Sequence, residues 1–355
     1  MLSSLKKLVT DSMAVDLGTA STVIAVKGRG IVVDEPSLVA INERTEEIVA
    51  FGQEAADMSG REGRDITVLA PLTGGVVGDF ERTKKMLAHF VKKAKTGGSN
   101  ISISAIMSMV SDVTQVEQRA LFNAAEDAGI GKVFMVEEGL AAAFGAGVLP
   151  SDKRASAIVD FGAGTTTIAV VAKGSVVHSS SERFGSNAIN EGIAVHLRRH
   201  RGLQVGVETI ETLKASFVST FLPDDISKTT EVRGRNVETG SPAAVEVTTG
   251  ELYPVVEGIV RRAAQLVKDT LTELRPEVAA DIYDRGVILT GGGALLDGIE
   301  PYMRGYINLA VTVADDPRHA VANGLVKMFD DEKLLERASR NELNMLQNAE
   351  IPFEV

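Results

Sequence analysis

Hydrophobic positions along the chain change period several times, and each change marks an element. Ile101, Ile103, Ala105, Met107 and Met109 occupy alternate positions, the period of a half-buried strand. Over residues 82–95 the apolar spacing becomes four: Met86 pairs with Phe90 and Leu87 with Val91. This predicts a helix whose Lys84, Lys85, Lys92, Lys93 and Lys95 lie on a solvated face. A longer stripe of Val256, Ile259, Val260, Ala263, Val267, Leu271 and Leu274 predicts a helix over 256–275. It must stop before Pro276, whose ring excludes continuation. Residues 219–250 are polar and β-branched, with Gly234, Gly240 and Gly250 as expected turns, and predict an exposed β-rich subdomain. Strand and helix patterns interleave throughout, so the class is α/β.

One pattern occurs twice. Val15-Asp-Leu-Gly-Thr-Ala-Ser-Thr-Val-Ile-Ala-Val26 returns as Val159-Asp-Phe-Gly-Ala-Gly-Thr-Thr-Thr-Ile-Ala-Val170. Each copy reads as an apolar strand, an Asp-x-Gly turn with small hydroxyl residues, and a second apolar strand. The separation is too long for a solenoid repeat, so the echo predicts two related lobes. Length agrees: 355 residues exceed one ordinary core and favour two domains or one bilobal unit.

Composition removes several function classes. Net charge is −11, against a general nucleic-acid binder with a basic face. Zero cysteines exclude a disulfide scaffold, a thiolate metal site and a cysteine nucleophile. No apolar run reaches a membrane span, and Met1 to Val9 is too short for a signal peptide, so a cytoplasmic location is expected.

The chemistry sits in the glycine-rich turns. Neither G-x-x-x-x-G-K-[ST] nor a strand-linked G-x-G-x-x-G is present. Paired glycine hairpins can hold a nucleotide instead, because residues lacking a Cβ let backbone N–H groups approach phosphate oxygens. Asp16 and Asp160 would then face a hydrated magnesium ion, which takes one or two carboxylates and keeps several waters. Thr19, Ser21, Thr165 and Thr166 add hydroxyls. A third cluster, Gly291-Gly292-Gly293, follows a strand and permits close approach of a base or phosphate, although a strand-to-helix turn explains it equally. Glu117 is the candidate for positioning water; it also completes a capping box with Thr114. Glu211 and Lys214 are helical neighbours, as a surface ion pair or as ribose and base contacts. His196 and His200 lack the glutamate of H-E-x-x-H and a third ligand, which argues against a metal site. At the amino terminus Leu2, Leu5 and Val9 share a helical face beside Lys6 and Lys7, a short interfacial anchor or an ordinary packed end.

Taken together these residues resemble the actin, sugar-kinase and heat-shock-chaperone superfamily and, within it, the MreB family of bacterial actins over nearly the whole chain. The resemblance is carried by Met13-Ala-Val-Asp-Leu-Gly-Thr-Ala20, Val33-Asp-Glu-Pro-Ser37 and Thr114-Gln-Val-Glu-Gln-Arg-Ala120. Ala141-Ala-Ala-Phe-Gly-Ala-Gly147, Ile158-Val-Asp-Phe-Gly-Ala-Gly-Thr-Thr166, Leu289-Thr-Gly-Gly-Gly-Ala-Leu-Leu296 and Val313-Ala-Asp-Asp-Pro317 extend it in order. It implies a two-lobed actin-like fold, a duplicated ribonuclease H-like unit with the nucleotide cleft between lobes. Lobe I would span 1–150, with a small subdomain near 31–75 and the 315–355 segment returning to it. Lobe II would span 151–314, with a small subdomain near 182–250.

By the same resemblance Asp16, Gly18, Thr19 and Ala20 form the first phosphate loop, and Asp160, Gly162, Gly164, Thr165 and Thr166 the second. Glu117 matches the hydrolytic glutamate, Glu211 and Lys214 the nucleoside contacts, and Gly291, Gly292 and Gly293 the adenosine motif. Implied ligands are ATP and Mg2+, the ion held by Asp16 and Asp160 mainly through water. Implied partners are further copies of the chain, a membrane surface and membrane-bound morphogenetic proteins, with no nucleic acid. The implied activity is slow ATP hydrolysis coupled to filament formation, in support of cell shape or wall synthesis. Several positions depart from the family pattern: Val110 and Gly139 replace prolines, Thr167 replaces a glutamate, and Gly185-Ser-Asn replaces Gly-Gly-Asp. Residues 96–100 also carry no large apolar side chain for lipid. These changes bear on hydrolysis and membrane binding more than on fold. The competing readings are an organelle-positioning paralogue of magnetosome type, a small-molecule kinase and a non-hydrolysing scaffold. A chaperone is not expected, since no large peptide-binding domain follows residue 330.

Overall fold

In the computed structural model, which describes residues 10–95, 102–221, 226–329, 331 and 333–339, each copy of the repeated hairpin opens a five-stranded sheet. In the first half β1 (Thr10–Leu17), β2 (Ser21–Val26) and β3 (Gly30–Pro36) form an antiparallel meander. The chain then builds a small sheet from β4 (Val39–Asn42), β5 (Ile48–Phe51) and β6 (Ile66–Leu69), with α1 (Gly52–Met58) against it. A short hairpin follows, β7 (Leu72–Thr73) and β8 (Val76–Val77), and then α2 (Phe80–Ala94). The chain re-enters the main sheet through β9 (Ser102–Met109), leaves by α3 (Gln115–Asp127), and returns as β10 (Lys132–Glu137). β9 lies parallel to β1 and to β10, giving the order β10-β9-β1-β2-β3.

Helix α4 (Glu138–Gly145) leads into the second half, where β11 (Ser156–Phe161), β12 (Thr166–Ala172) and β13 (Ser175–Glu182) repeat the meander. Between α5 (Asn187–Arg201) and the later helices lie β14 (Leu203–Gln204), α6 (Val207–Ser216), β15 (Thr229–Asn236) and β16 (Pro242–Thr248), whose strands form a second small sheet. After α7 (Thr249–Thr272) and α8 (Pro276–Arg285) come β17 (Val287–Thr290), α9 (Ile299–Ile307), β18 (Val311–Val313) and α10 (Ala320–Met328). The order is β13-β12-β11-β17-β18, with β11, β17 and β18 parallel. Counting main-sheet strands along the chain, both halves read 3-2-1-4-5, the ribonuclease H-like topology made twice. Register repeats as well, with Asp16 opposite Val23 and Asp160 opposite Thr167.

Among the described residues, three apolar cores form on the faces of the two main sheets, beside a small one of Ala40, Ala50 and Ala55. One face of the first sheet packs under α2 and α3 through Met86, Leu87, Phe90 and Leu121. One face of the second packs under α5 and α7 through Ile189, Ile193, Val256 and Val260. The remaining faces meet α4 and α10 in a shared core: Ala14, Ile106 and Val136 from the first sheet, Ile158, Ala169 and Val171 from the second, and Phe144 and Leu325 between them. Gly145 and Gly324 let those two helices touch backbone to backbone, since a Cβ on either would strike the opposite carbonyl. Both sheets therefore pack on one small-residue helix pair.

Several local expectations change. β9 is buried on both faces from Ala105 onward because it is the inner parallel strand, with α-helical cover on either side. Helix α7 starts at Thr249, well before residue 256: Thr248 and Glu251 form a capping box that carries the helix through Gly250 and Pro254. Of the three glycines expected as turns, Gly240 is one, at φ +71°. Gly234 instead sits within β15, where a Cβ would strike the carbonyl of Gln204 on β14. The amino-terminal stretch 1–9 and residues 96–100 lie outside the described residues.

Candidate functional site

The two Asp-x-Gly turns meet across a cavity of about 590 Å3. Each is closed by the same backbone bond, Gly18 N–H to the Ser21 carbonyl at 3.0 Å and Gly162 N–H to the Thr165 carbonyl at 2.9 Å. They abut closely: a Cβ on Gly164 would lie 2.6 Å from Oγ1 of Thr19. The β7–β8 hairpin covers them, with Gly75 N–H donating to Thr19 Oγ1 at 2.9 Å.

Each turn has its own bracing. Ser37 Oγ donates to the Gly18 carbonyl at 2.7 Å and pairs with Thr22 Oγ1. In the second turn Ser186 and Asn187 N–H groups reach the Gly162 and Ala163 carbonyls, an approach that Gly185 alone permits because a Cβ there would strike both. Gly291, at φ +80°, lies where a Cβ would come within 2.7 Å of Asp160 Oδ1, and Gly293 lies against the Phe161 ring. Gly292 faces open space. The triple glycine thus keeps the second turn tightly packed while leaving one position clear.

Asp16, Gly18, Thr19, Ala20, Glu117, Asp160, Gly162, Gly164, Thr165, Glu211, Lys214, Gly291, Gly292 and Gly293 all line this cavity. Thr166 does not. It is fully buried, and its hydroxyl donates to the Phe184 carbonyl at 2.8 Å, a bond that ties β12 to the segment after β13. Sequence reading also missed Glu138, Ser108, Asn187 and Arg318, which line the same space. Glu138 adjoins Gly139, and Asn187 lies in Gly185-Ser-Asn, two of the departures read from the sequence; Ser108 and Arg318 are brought in only by tertiary packing.

Acidic groups gather at the floor. Asp16 accepts from Ser108 Oγ at 2.8 Å, yet its carboxyl is pushed up to about 6, chiefly by burial and also by Asp160. Asp160, only 4% exposed, accepts from Thr290 Oγ1 at 2.9 Å. Burial, then the neighbouring Asp160 and Asp16, lift Glu138 well above the usual carboxylate range, and it shares a hydrogen bond with Asp160. Among the described residues no three His, Cys, Asp or Glu side chains form a cage able to hold a metal alone. Two carboxylates facing the cavity still suit an ion that keeps its waters and borrows phosphate oxygens.

At the opposite wall Lys214 pairs with Glu211 at 2.9 Å, and Asn190 donates to Glu211. Oδ1 of Asn190 is buried without a partner. Glu117 is N3 of its helix and completes the capping box with Thr114, as the sequence predicts. It is also paired with Arg183 at 2.8 Å, across the cleft from the other sheet. Its carboxyl is held below the usual range, first by the Thr114 N–H and also by Arg183. His196 pairs with Glu251, beside His200.

Comparison with known proteins agrees with this geometry. The family model described as MreB/Mbl protein matches residues 10–337. The cell shape-determining protein MreB of Escherichia coli (strain K12) is 37% identical over 329 residues, covering 91% of this chain and 94% of that protein. The cell shape-determining protein Mbl of Bacillus subtilis (strain 168) is 37% identical over 326 residues, covering 92% and 98%. Among solved structures, MreB5 of Spiroplasma citri bound to AMPPNP superposes with a TM-score of 0.85 at 30% identity, covering 94% and 98%. The double helical filament of MamK shares the fold, with a TM-score of 0.76 at 22% identity, covering 91% and 99%. Topology, twin turns and sequence converge, and the chain belongs to the MreB/Mbl family of actin-like proteins.

Proposed function

We propose that the chain is a cytoskeletal ATPase that polymerises with magnesium–ATP and supports cell shape. The observation that carries this is the contact of Gly164 with Thr19: two acidic glycine turns, one per sheet, abut over a single cavity. A triphosphate seated there would touch both halves at once. Backbone N–H groups of the two turns and the hydroxyls of Thr19 and Thr165 would take the phosphates, and Lys214 and Glu211 the nucleoside. The crystal structures of MreB5 of Spiroplasma citri bound to AMPPNP and to ADP support a nucleotide in this cleft. Asp16 and Asp160 fit a hydrated magnesium ion, which when bound would spread the charge developing on the transferred phosphoryl group.

Glu117 would orient water for in-line attack, the role its place on the cavity wall supports. Contact with both halves lets the γ-phosphate favour one arrangement of the two sheets about the α4–α10 pair. Binding of nucleotide and of neighbouring subunits then favour each other, because coupling of binding free energies is reciprocal. Head-to-tail repetition of such contacts does not close and yields a filament. Identity of 37% to the cell shape-determining proteins MreB and Mbl favours the cell-shape role.

None of the described helices is long and apolar enough to cross a membrane. Negative-stain microscopy and light scattering with magnesium–ATP test the reading. Filaments that appear with the nucleotide and vanish without it are expected; monomers under all nucleotide conditions would refute it.

A further inference from the structure

Behind the cavity wall stands a polar side chain that the nucleotide reading does not use. Asn190 lies on α5 three residues after Asn187, so the two share a face of the helix. Asn187 lines the cavity; Asn190, one turn further on, donates from Nδ2 to Oε1 of Glu211 on α6. Ile189 and Ile193 of α5 share one buried core with Ile210 and Leu213 of α6, which fixes the two helices against each other. Oδ1 of Asn190 is buried and finds no partner among the described residues. Turning the amide over would not help, because Oδ1 would then face a carboxylate oxygen, acceptor against acceptor. The N–H is therefore committed to Glu211.

Glu211 is gripped from two sides, by Asn190 at Oε1 and by Lys214 at Oε2, 2.9 Å away. A carboxylate offers about four acceptor positions, so each oxygen keeps one. The Lys214 side chain is 11% exposed and that of Glu211 46%, and both line the cavity. A plain surface ion pair would leave the lysine solvated; here the lysine is sunk and the carboxylate presents an open edge. That edge is chemically selective. A hydroxyl both donates and accepts, so it can give a hydrogen bond to the carboxylate and take one from the ammonium. The amino groups of adenine and guanine only donate, and would meet Lys214 donor against donor. Two adjacent hydroxyls on a ribose suit two free acceptor positions on one carboxylate.

We propose that Asn190 is a positioning residue: it holds the Glu211 carboxylate toward the ribose hydroxyls, so that the site takes ribonucleotides in preference to 2′-deoxyribonucleotides. This rests on the nucleotide reading above. Without the Asn190 N–H the glutamate is free to swing toward Lys214, and each hydroxyl contact then carries the cost of ordering it. A site built around a hydroxyl discriminates against the analogue that lacks it, since its polar groups are left unpaired.

The test is the affinity of the full chain for ATP, 2′-deoxy-ATP and GTP with magnesium, at subunit concentrations below filament formation. Each competes with an ATP analogue labelled on its γ-phosphate, which leaves the ribose untouched. Wild type is compared with Asn190→Leu, Glu211→Ala and the double variant. Leucine keeps the helix and about the same volume; Asn190→Ala, which leaves space instead of filling it, is the second variant. Wild type is expected to prefer ATP over 2′-deoxy-ATP about tenfold, the scale of one hydrogen bond to a charged group. Both Asn190 variants should weaken ATP and spare 2′-deoxy-ATP, cutting the preference to about threefold or less. Glu211→Ala should abolish it, and the double variant should add nothing, because Asn190 acts through Glu211. A wild type without the preference overturns the proposal and leaves the nucleotide reading standing. So does equal weakening of both nucleotides, or loss of all binding, in the two Asn190 variants, which would make Asn190 a support of the helix pair alone. An Asn190 effect on ATP against GTP with none on the deoxy analogue also overturns it, by placing Glu211 on the base. Failure of wild type to bind any of the three removes the nucleotide reading itself, and the proposal with it.

Discussion

The two acidic turns share a register but differ in how they are held. Asp160 is deeply buried, bonded to Thr290, and enclosed by glycines 185, 291 and 293, each positioned where a Cβ would collide with the turn. Asp16 is half-buried and bonded to Ser108, and its turn is braced by the hydroxyls of Ser37 and Thr22 and capped by the β7–β8 hairpin. The second turn is held by close backbone contact, and the first by side-chain hydroxyls and the covering hairpin. Duplication of a fold unit gave both halves the same geometry, and the packing around each turn then made them different, with backbone contact in one half and hydroxyl bracing in the other.

The largest expected effect comes from forcing the two turns apart. Gly164→Val places bulk against Thr19, and overpacking of this kind costs about 1–3 kcal/mol, or about ten- to a hundredfold in ATP affinity. Titration with a fluorescent ATP analogue reads it. Unaltered affinity would mean that the turns do not act on one ligand.

A smaller effect separates the turns by their acids. Asp16 ionises near pH 6 in the fold and near its ordinary 3.8 in the unfolded chain, so the unfolded state gives up its proton first. The stability tied to its proton is fully present below about pH 3.8 and is lost as pH rises through 6. Between pH 5 and 8 this one group costs about 1 kcal/mol. Glu138, raised for the same reason of burial, acts in the same direction. Urea unfolding of the nucleotide-free protein should therefore show Asp16→Asn gaining about 1 kcal/mol on wild type between pH 5 and pH 8. A difference that does not change with pH contradicts the buried-acid account. Magnesium–ATP affinity should move oppositely and strengthen across that window, because the ion needs the ionised carboxylate.

The division between what the sequence displays and what it hides follows the same contrast. Repeated hairpins are legible because strand–turn–strand geometry is local, and the match of Val15–Val26 with Val159–Val170 needs no knowledge of packing. The capping box at Thr114 and Glu117 is legible for the same reason. Thr166 misled, since a hydroxyl beside a glycine turn looks free until Phe184 is folded against it. Ser108, Arg183 and Arg318 were invisible, because each reaches the cleft or its edge from an element distant in sequence. The early start of α7 shows the opposite lesson: a capping box carries the helix through Gly250, which reads as a turn in the sequence. Gly234 shows that a glycine within a β-rich stretch can mark close approach of a neighbouring strand rather than a turn.

The central claim is that one triphosphate is held by both turns together. A crystal structure of the protein with magnesium and a non-hydrolysable ATP analogue tests it most directly. The account predicts phosphate oxygens within hydrogen-bonding distance of backbone N–H groups in both the Gly18–Ser21 and the Gly162–Thr165 turns, with the ion beside Asp16 and Asp160. A nucleotide contacting only one turn, or seated outside the cleft, would contradict it.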